Sequence, residues 1–131
     1  MSATPPDPPP RVVLIVDDEP HIRRIIGIKL KQMGLEPMDA PDGAEALDLI
    51  RRHGPPALAI VDIMMPKLDG LSLLKKLRED PATRELPVVF VTAVRETEDR
   101  DKALALGAKT VILKPFKSGD LEAAVRSALA T

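Results

Sequence analysis

Five times along this chain a short run suited to a β-strand gives way to a stretch with apolar residues at helical spacing. Few folds accept that alternation. The runs at 12–16, 58–61, 88–91 and 111–113 are continuously β-branched or aliphatic, apart from one Phe and one Ala. Such runs belong to strands buried on both faces, the situation inside a parallel sheet covered by helices. The run at 35–40 is weaker because Pro37 interrupts it, and a strand carrying Pro belongs at a sheet edge.

The intervening stretches carry helix signals. Pro20 suits a first helical turn with Asp18 or Glu19 near its cap. Ile22, Ile26, Leu30 and Met33 then follow at helical spacing until Gly34. Asp42 caps a second helix with Ala46, Leu47 and Ile50 on its apolar stripe, closed by Gly54-Pro55-Pro56. After a loop at 66–70, Leu71, Leu74 and Leu77 mark a third helix, closed by Asp80-Pro81. A fourth spans 96–106, with favourable pairs Glu96–Arg100 and Glu98–Lys102 on a solvated face, and Gly107 ends it. Leu121, Ala124, Val125 and Ala128 mark a fifth.

Five successive βα units predict a doubly wound α/β fold, with helices on both faces of a parallel sheet and right-handed crossovers. The flavodoxin-like strand order 2-1-3-4-5 puts the Pro-bearing second strand at an edge. It also puts the topological switch between strands 1 and 3, beyond whose carboxyl ends ligands bind in such sheets. Asp17 and Asp18 end the first strand and Asp62 the third, while Thr92 and Lys114 end the next two.

Taken singly, each has an ordinary explanation. Asp17 and Asp18 could cap a helix, Asp62 could enter a loop, Thr92 could fill a strand, and Lys114 could be a surface charge. Together they put three carboxylates, a hydroxyl and an ammonium at one rim. Close carboxylates raise one another's pKa unless a cation bridges them. Mg2+ suits one or two carboxylates with waters and phosphate oxygens. Asp62 is the candidate nucleophile, because a carboxylate attacking phosphorus gives an acyl phosphate. Lys114 and a cation on Asp18 would neutralise charge. Thr92 could donate to a phosphoryl oxygen and draw its loop inward.

Other classes fit poorly. With 19 Lys+Arg against 20 Asp+Glu, the net charge of −1 gives no pull toward nucleic acid or an anionic membrane. Phe90 and Phe116 are the only aromatics, too few for base stacking, and the absence of Cys excludes disulfides and thiolate metal sites. No apolar run is long enough to span a membrane, and a cytoplasmic location is the simplest expectation. Residues 1–10 hold five prolines and read as a disordered tail before a domain at 11–131. Neither His21 nor His53 has a partner at metal-ligand spacing.

The segments VDDE at 16–19, VDIMMPKLDG at 61–70, VTA at 91–93 and KPF at 114–116 resemble the receiver domain of bacterial two-component response regulators, similar to the chemotaxis response regulators. The resemblance covers residues 11–131. It implies that Asp62 is the phosphoacceptor, with Mg2+ held by Asp18, Asp62 and the backbone carbonyl of Met64, and by Asp17 through water. It implies that Thr92 is the switch hydroxyl, that Lys114 pairs with the phosphoryl group, and that the Lys114–Pro115 peptide is cis. The donor would be a histidine kinase or histidine phosphotransfer protein. The phosphorylated form would bind a downstream protein, often through the face of the fourth helix, fifth strand and fifth helix. By the same analogy Arg23, Arg24, Lys29 and Lys31 are candidate kinase contacts.

Two positions depart from the family pattern. Val111 stands where an aromatic switch residue is usual, so the signal is expected to travel by loop and helix movement. Met64 and Val94 stand at positions that tune hydrolysis. Both are apolar and poor at orienting water, which implies a long-lived phosphoryl group. The expected protein is therefore a phosphoacceptor module and not a multiple-turnover enzyme. The alternatives are a receiver that belongs to a longer regulator with an output domain, and a receiver-like binding module that works without phosphorylation. A haloacid-dehalogenase-type phosphatase would need a second Asp at position 64, where Met stands.

Overall fold

A computed structural model describes residues 11–93 and 97–130. The Pro-rich segment 1–10 expected as a tail, Val94, and Glu96 of the expected Glu96–Arg100 pair lie outside the described residues, as does the Glu98 side chain of the second expected pair. Strands β1 (Val12–Val16), β2 (Glu36–Ala40), β3 (Leu58–Val61), β4 (Val88–Thr92) and β5 (Thr110–Leu113) alternate with helices. These are α1 (Pro20–Gln32), α2 (Gly43–His53), α3 (Gly70–Glu79), α4 (Thr97–Ala105) and α5 (Ser118–Leu129). The sheet runs β2-β1-β3-β4-β5 with every pairing parallel, the flavodoxin-like order expected.

Alternate residues of each strand enter different cores. Leu14, Val16, Ala59, Val61, Val88 and Phe90 pack with Ala46, Ile50, Leu73, Leu74, Leu77 and Ala103, so α2, α3 and α4 cover that face. Val13, Ile15, Leu58, Ile60, Val89 and Val91 pack with Ile26, Leu30, Leu121 and Val125, so α1 and α5 cover the other. This two-sided burial is why the runs at β1, β3 and β4 are almost purely apolar. The β2 edge, with Pro37 and an exposed Asp39, is buried fully only at Ala40.

Local signals explain most element ends. Asp42 Oδ1 accepts the Glu45 N–H at 2.8 Å and Asp69 Oδ1 accepts the Ser72 N–H at 2.8 Å, each satisfying a free donor of a first helical turn. Gly34 and Gly54 follow α1 and α2 with positive φ. The start of α1 lies where expected. Glu19 occupies the cap position, but neither it nor Asp18 caps with its side chain. Instead Asp17 Oδ1 accepts the Glu19 N–H at 2.9 Å, so the preceding acid braces the turn. In α3, Leu73 joins the expected Leu74 and Leu77 in the core, while Leu71 is only half-buried.

The register sets the position of the rim. Val16 lies beside Ala40 and Val61, Val61 beside Phe90, and Thr92 beside Leu113. The carboxyl ends of β1, β3, β4 and β5 therefore face the same side of the molecule.

Candidate functional site

Main-chain bonds carry the strand ladders into the rim. The Asp17 N–H donates to Ala40 O at 3.2 Å, Asp62 N–H to Val16 O at 2.9 Å, and Lys114 N–H to Thr92 O at 2.8 Å. The side chains of Asp17, Asp62 and Lys114 thus leave backbones already fixed by their neighbours. Asp17 and Asp62 are buried, Thr92 is wholly buried at the end of β4, and Asp18 is exposed.

Lys114 ties these ends together. Its ammonium donates to Asp17 Oδ2 at 2.8 Å and to Asp62 Oδ2 at 3.1 Å, with Glu19 Oε1 at 3.6 Å. The Met64 N–H donates to Asp62 Oδ1 at 3.1 Å. Both oxygens of Asp62 are therefore held, and its carboxylate plane is fixed between the loop after β3 and the loop after β5. The Lys114–Pro115 peptide is cis, as expected.

Each of Asp17, Asp18 and Asp62 offers a carboxylate oxygen, and these oxygens lie within 4.8 Å of one another. Hard oxygen donors at that spacing, two buried and one open to solvent, suit a cation such as Mg2+ that keeps part of its water shell. The electrostatics rank the causes. Burial, more than repulsion among the acids, pushes the Asp62 carboxyl above the ordinary carboxylate range. Lys114 pulls it back, and Asp17 adds a smaller push upward. Burial also pulls the Lys114 ammonium down, but its bonds to Asp17 and Asp62 outweigh this and leave it above the usual lysine value.

The remaining candidates divide. Met64 meets the site through its N–H while its side chain is exposed at 62%. Val111 is half-buried in β5. His21 is exposed on α1, and His53 is the last residue of α2. Arg23 pairs with Asp39 and Lys29 with Glu122, while Arg24 and Lys31 are exposed.

Two contributors, Glu19 and Gly70, carry no site signal in the sequence, and a third, Arg23, expected as a kinase contact, turns inward to the site. Glu19, at the cap of α1, also adds a carboxylate to Lys114. Arg23 reaches the Asp17 carbonyl at 2.6 Å. At Gly70, a Cβ would collide with the Asp62 carbonyl oxygen and sit 2.8 Å from Ile63 Cα and 2.9 Å from the Phe90 ring. The Asp69-Gly70 pair at the start of α3 is visible in the sequence, but the contact that requires glycine there is tertiary.

Comparison with known proteins points to one family. The model of the response regulator receiver domain matches residues 13–126. The protein named "Response regulator Rre1" of Synechocystis is 44% identical over 122 residues, covering 92% of this chain and 52% of that protein. The "Probable transcriptional regulator ycf27" of Porphyridium aerugineum is 41% identical over 117 residues, covering 89% of this chain and 47% of that protein. The chain thus spans about half the length of these curated relatives. The crystal structure of chemotaxis protein CheY4 of Vibrio cholerae superposes with a TM-score of 0.85 at 28% identity, covering 92% of this chain and 99% of that one.

Proposed function

The chain belongs to the response regulator receiver family of two-component signalling, and from that premise we propose that it accepts a phosphoryl group on Asp62 and changes shape to control a protein partner. The observation that carries the reading is Asp62 itself, a buried carboxylate gripped by Lys114 and Met64 beside two further acids.

The donor is a phosphohistidine of a kinase or phosphotransfer protein. An Asp62 oxygen attacks phosphorus as the phosphorus–nitrogen bond breaks, and the electron pair stays on the imidazole nitrogen. Asp18, Asp62 and the Met64 carbonyl would hold Mg2+, with Asp17 acting through water. When bound, the ion offsets the negative charge on the phosphoryl oxygens. Lys114 already lies on Asp62 Oδ2, where it can follow the incoming oxygens. The Thr92 hydroxyl donates to a phosphoryl oxygen and draws in the loop after β4, so a chemical event becomes a movement.

The responding surface is the face of α4, β5 and α5, where Leu104 and Leu113 are exposed. That reading holds whether the responder is a separate protein or part of the same polypeptide. The setting is cytoplasmic, and no helix among the described residues is long and apolar enough to cross a membrane.

Incubation with Mg2+ and a small phosphodonor, read by intact mass, tests the proposal. The wild-type chain gains one phosphoryl group and Asp62→Asn gains none. A wild-type chain that stays unmodified, or an Asp62→Asn variant that is modified equally, overturns it.

A further inference from the structure

Asp17 and Asp18 sit on a turn whose main chain has an unusual requirement. A β-turn beginning at Asp17 would be closed by the N–H of residue 20, but Pro20 has none. The first bonds of α1 go elsewhere, from the Ile22 and Arg23 N–H groups to Glu19 O. The Asp17 carbonyl thus has no local main-chain donor, and a part-buried carbonyl needs one.

Arg23 supplies it from one turn into α1. Its Nη1 donates to Asp17 O at 2.6 Å, and its Nε donates to Asp39 Oδ2 at 2.9 Å. The Arg23 side chain is 15% exposed, whereas Asp39 is 58% exposed. The guanidinium is therefore tethered at the sheet edge by β2 and presses its other end onto the turn. The carbonyl it holds belongs to the peptide plane joining Asp17 to Asp18, and planarity couples the two residues. With the Asp17 N–H bound to Ala40 O, the turn is pinned on both sides. Asp17 is further fixed by Glu19 N–H and Lys114. The Asp18 side chain has no hydrogen bond among the described residues, so the turn backbone alone sets where it points.

We infer that Arg23 is a positioning residue, which aims the Asp18 carboxylate into the acidic cluster by holding the Asp17–Asp18 peptide plane. The inference rests on the receiver reading above. It also gives Arg23 a task distinct from touching a kinase, as a guanidinium with both ends engaged is poorly placed to offer itself to a partner.

The test is titration of the full chain with Mg2+ by calorimetry, paired with phosphodonor labelling across a range of Mg2+ concentrations. Arg23→Gln is expected to weaken Mg2+ binding on the order of tenfold, the scale seen when a group that orients a metal ligand is removed. Its half-saturating Mg2+ for labelling rises in parallel, while the rate at saturating Mg2+ stays near the wild-type value. Arg23→Lys, which can reach one partner but not fork between two, falls between. Asp39→Asn removes the charge but leaves an amide oxygen that can accept the Arg23 Nε–H, so the tether and the carbonyl contact persist and Mg2+ affinity stays near wild type. The inference is overturned if Arg23→Gln binds Mg2+ like wild type, or if Asp39→Asn weakens binding as much as Arg23→Gln. Should Arg23→Gln fail to fold, Arg23→Lys decides: unchanged affinity overturns the inference and weakened affinity supports it. In those outcomes the receiver reading stands, whereas a wild-type chain that binds no Mg2+ removes both.

Discussion

Lys114 Nζ lies 2.8 Å from Asp17 Oδ2, an ion pair that joins the loop after the last strand to the end of the first. Both side chains are largely buried, at 11% and 2% exposed, so the pair is little screened by solvent. Removing the ammonium strands Asp17 and Asp62 together. Lys114→Ala is expected to cost about 3 kcal/mol in chelator, the scale for breaking a buried pair from one side. Urea unfolding measures it, and added Mg2+ should return part of the loss. Because Lys114 is raised in the folded chain, its contribution is complete below the ordinary lysine value of 10.5 and lost only as pH climbs through the higher folded value.

Asp62 has the opposite influence on stability. Its folded carboxyl is raised, chiefly by burial, so the folded state favours the protonated form. The wild-type chain is therefore relatively most stable below the ordinary carboxylate value of 3.8 and loses that advantage as pH rises through the folded value. At neutral pH in chelator, Asp62→Asn should melt a few degrees above wild type. The gap should shrink as pH falls through the acid range. A variant that melts lower at pH 7 would contradict this reading.

Gly70 marks a steric limit beside the acceptor. Gly70→Ala forces backbone of Asp62 or Ile63 to move, and is expected to cost about 2 kcal/mol and to slow labelling of Asp62. Gly119→Ala is the control. It lies in α5 with nothing within 4 Å of the added carbon, and should stabilise the chain by roughly 0.5 kcal/mol. Thermal melts of the pair separate crowding from helix propensity.

Arg78 serves as a hub of main-chain bonds. From α3 it donates to Leu106 O at 2.9 Å, Leu86 O at 2.8 Å, Gly107 O at 3.3 Å and Thr83 O at 3.4 Å. Two of those carbonyls close the end of α4. Arg78→Ala should cost about 3 kcal/mol, from lost charge-assisted bonds and carbonyls left without a donor. Hydrogen exchange should rise at the C-terminal end of α4 and in the loop before β4.

Met64 projects an apolar, mostly exposed side chain next to the acceptor, where it cannot align a hydrolytic water. The acyl phosphate is expected to last minutes or longer. Met64→Asn, which places an amide there, should shorten that time at least several-fold. Loss of label from wild type within seconds would refute the expectation.

The sheet order and the rim were legible because strands buried on both faces leave an unmistakable apolar signature, and because β1, β3, β4 and β5 each run straight into a polar residue. The edge strand could be placed through Pro37. What stayed hidden was long-range. Asp17 bracing Glu19, Arg23 bonding a carbonyl six residues back, Arg78 reaching the loop before β4 and the end of α4, and Gly70 beneath Asp62 all depend on distances that no periodicity encodes. The mutual repulsion expected of the acids was real but secondary, because burial of Asp62 is a property of the fold and not of composition.

The sheet separates two cores that share no side chain, one under α2, α3 and α4 and one under α1 and α5. It therefore acts as a partition. A cavity opened at Leu74 and another at Leu121 should combine additively, within about 0.5 kcal/mol, as independent sites do. One side of the partition could then drift through substitution while the other keeps its shape, and the rim, where both sides meet, would register either change.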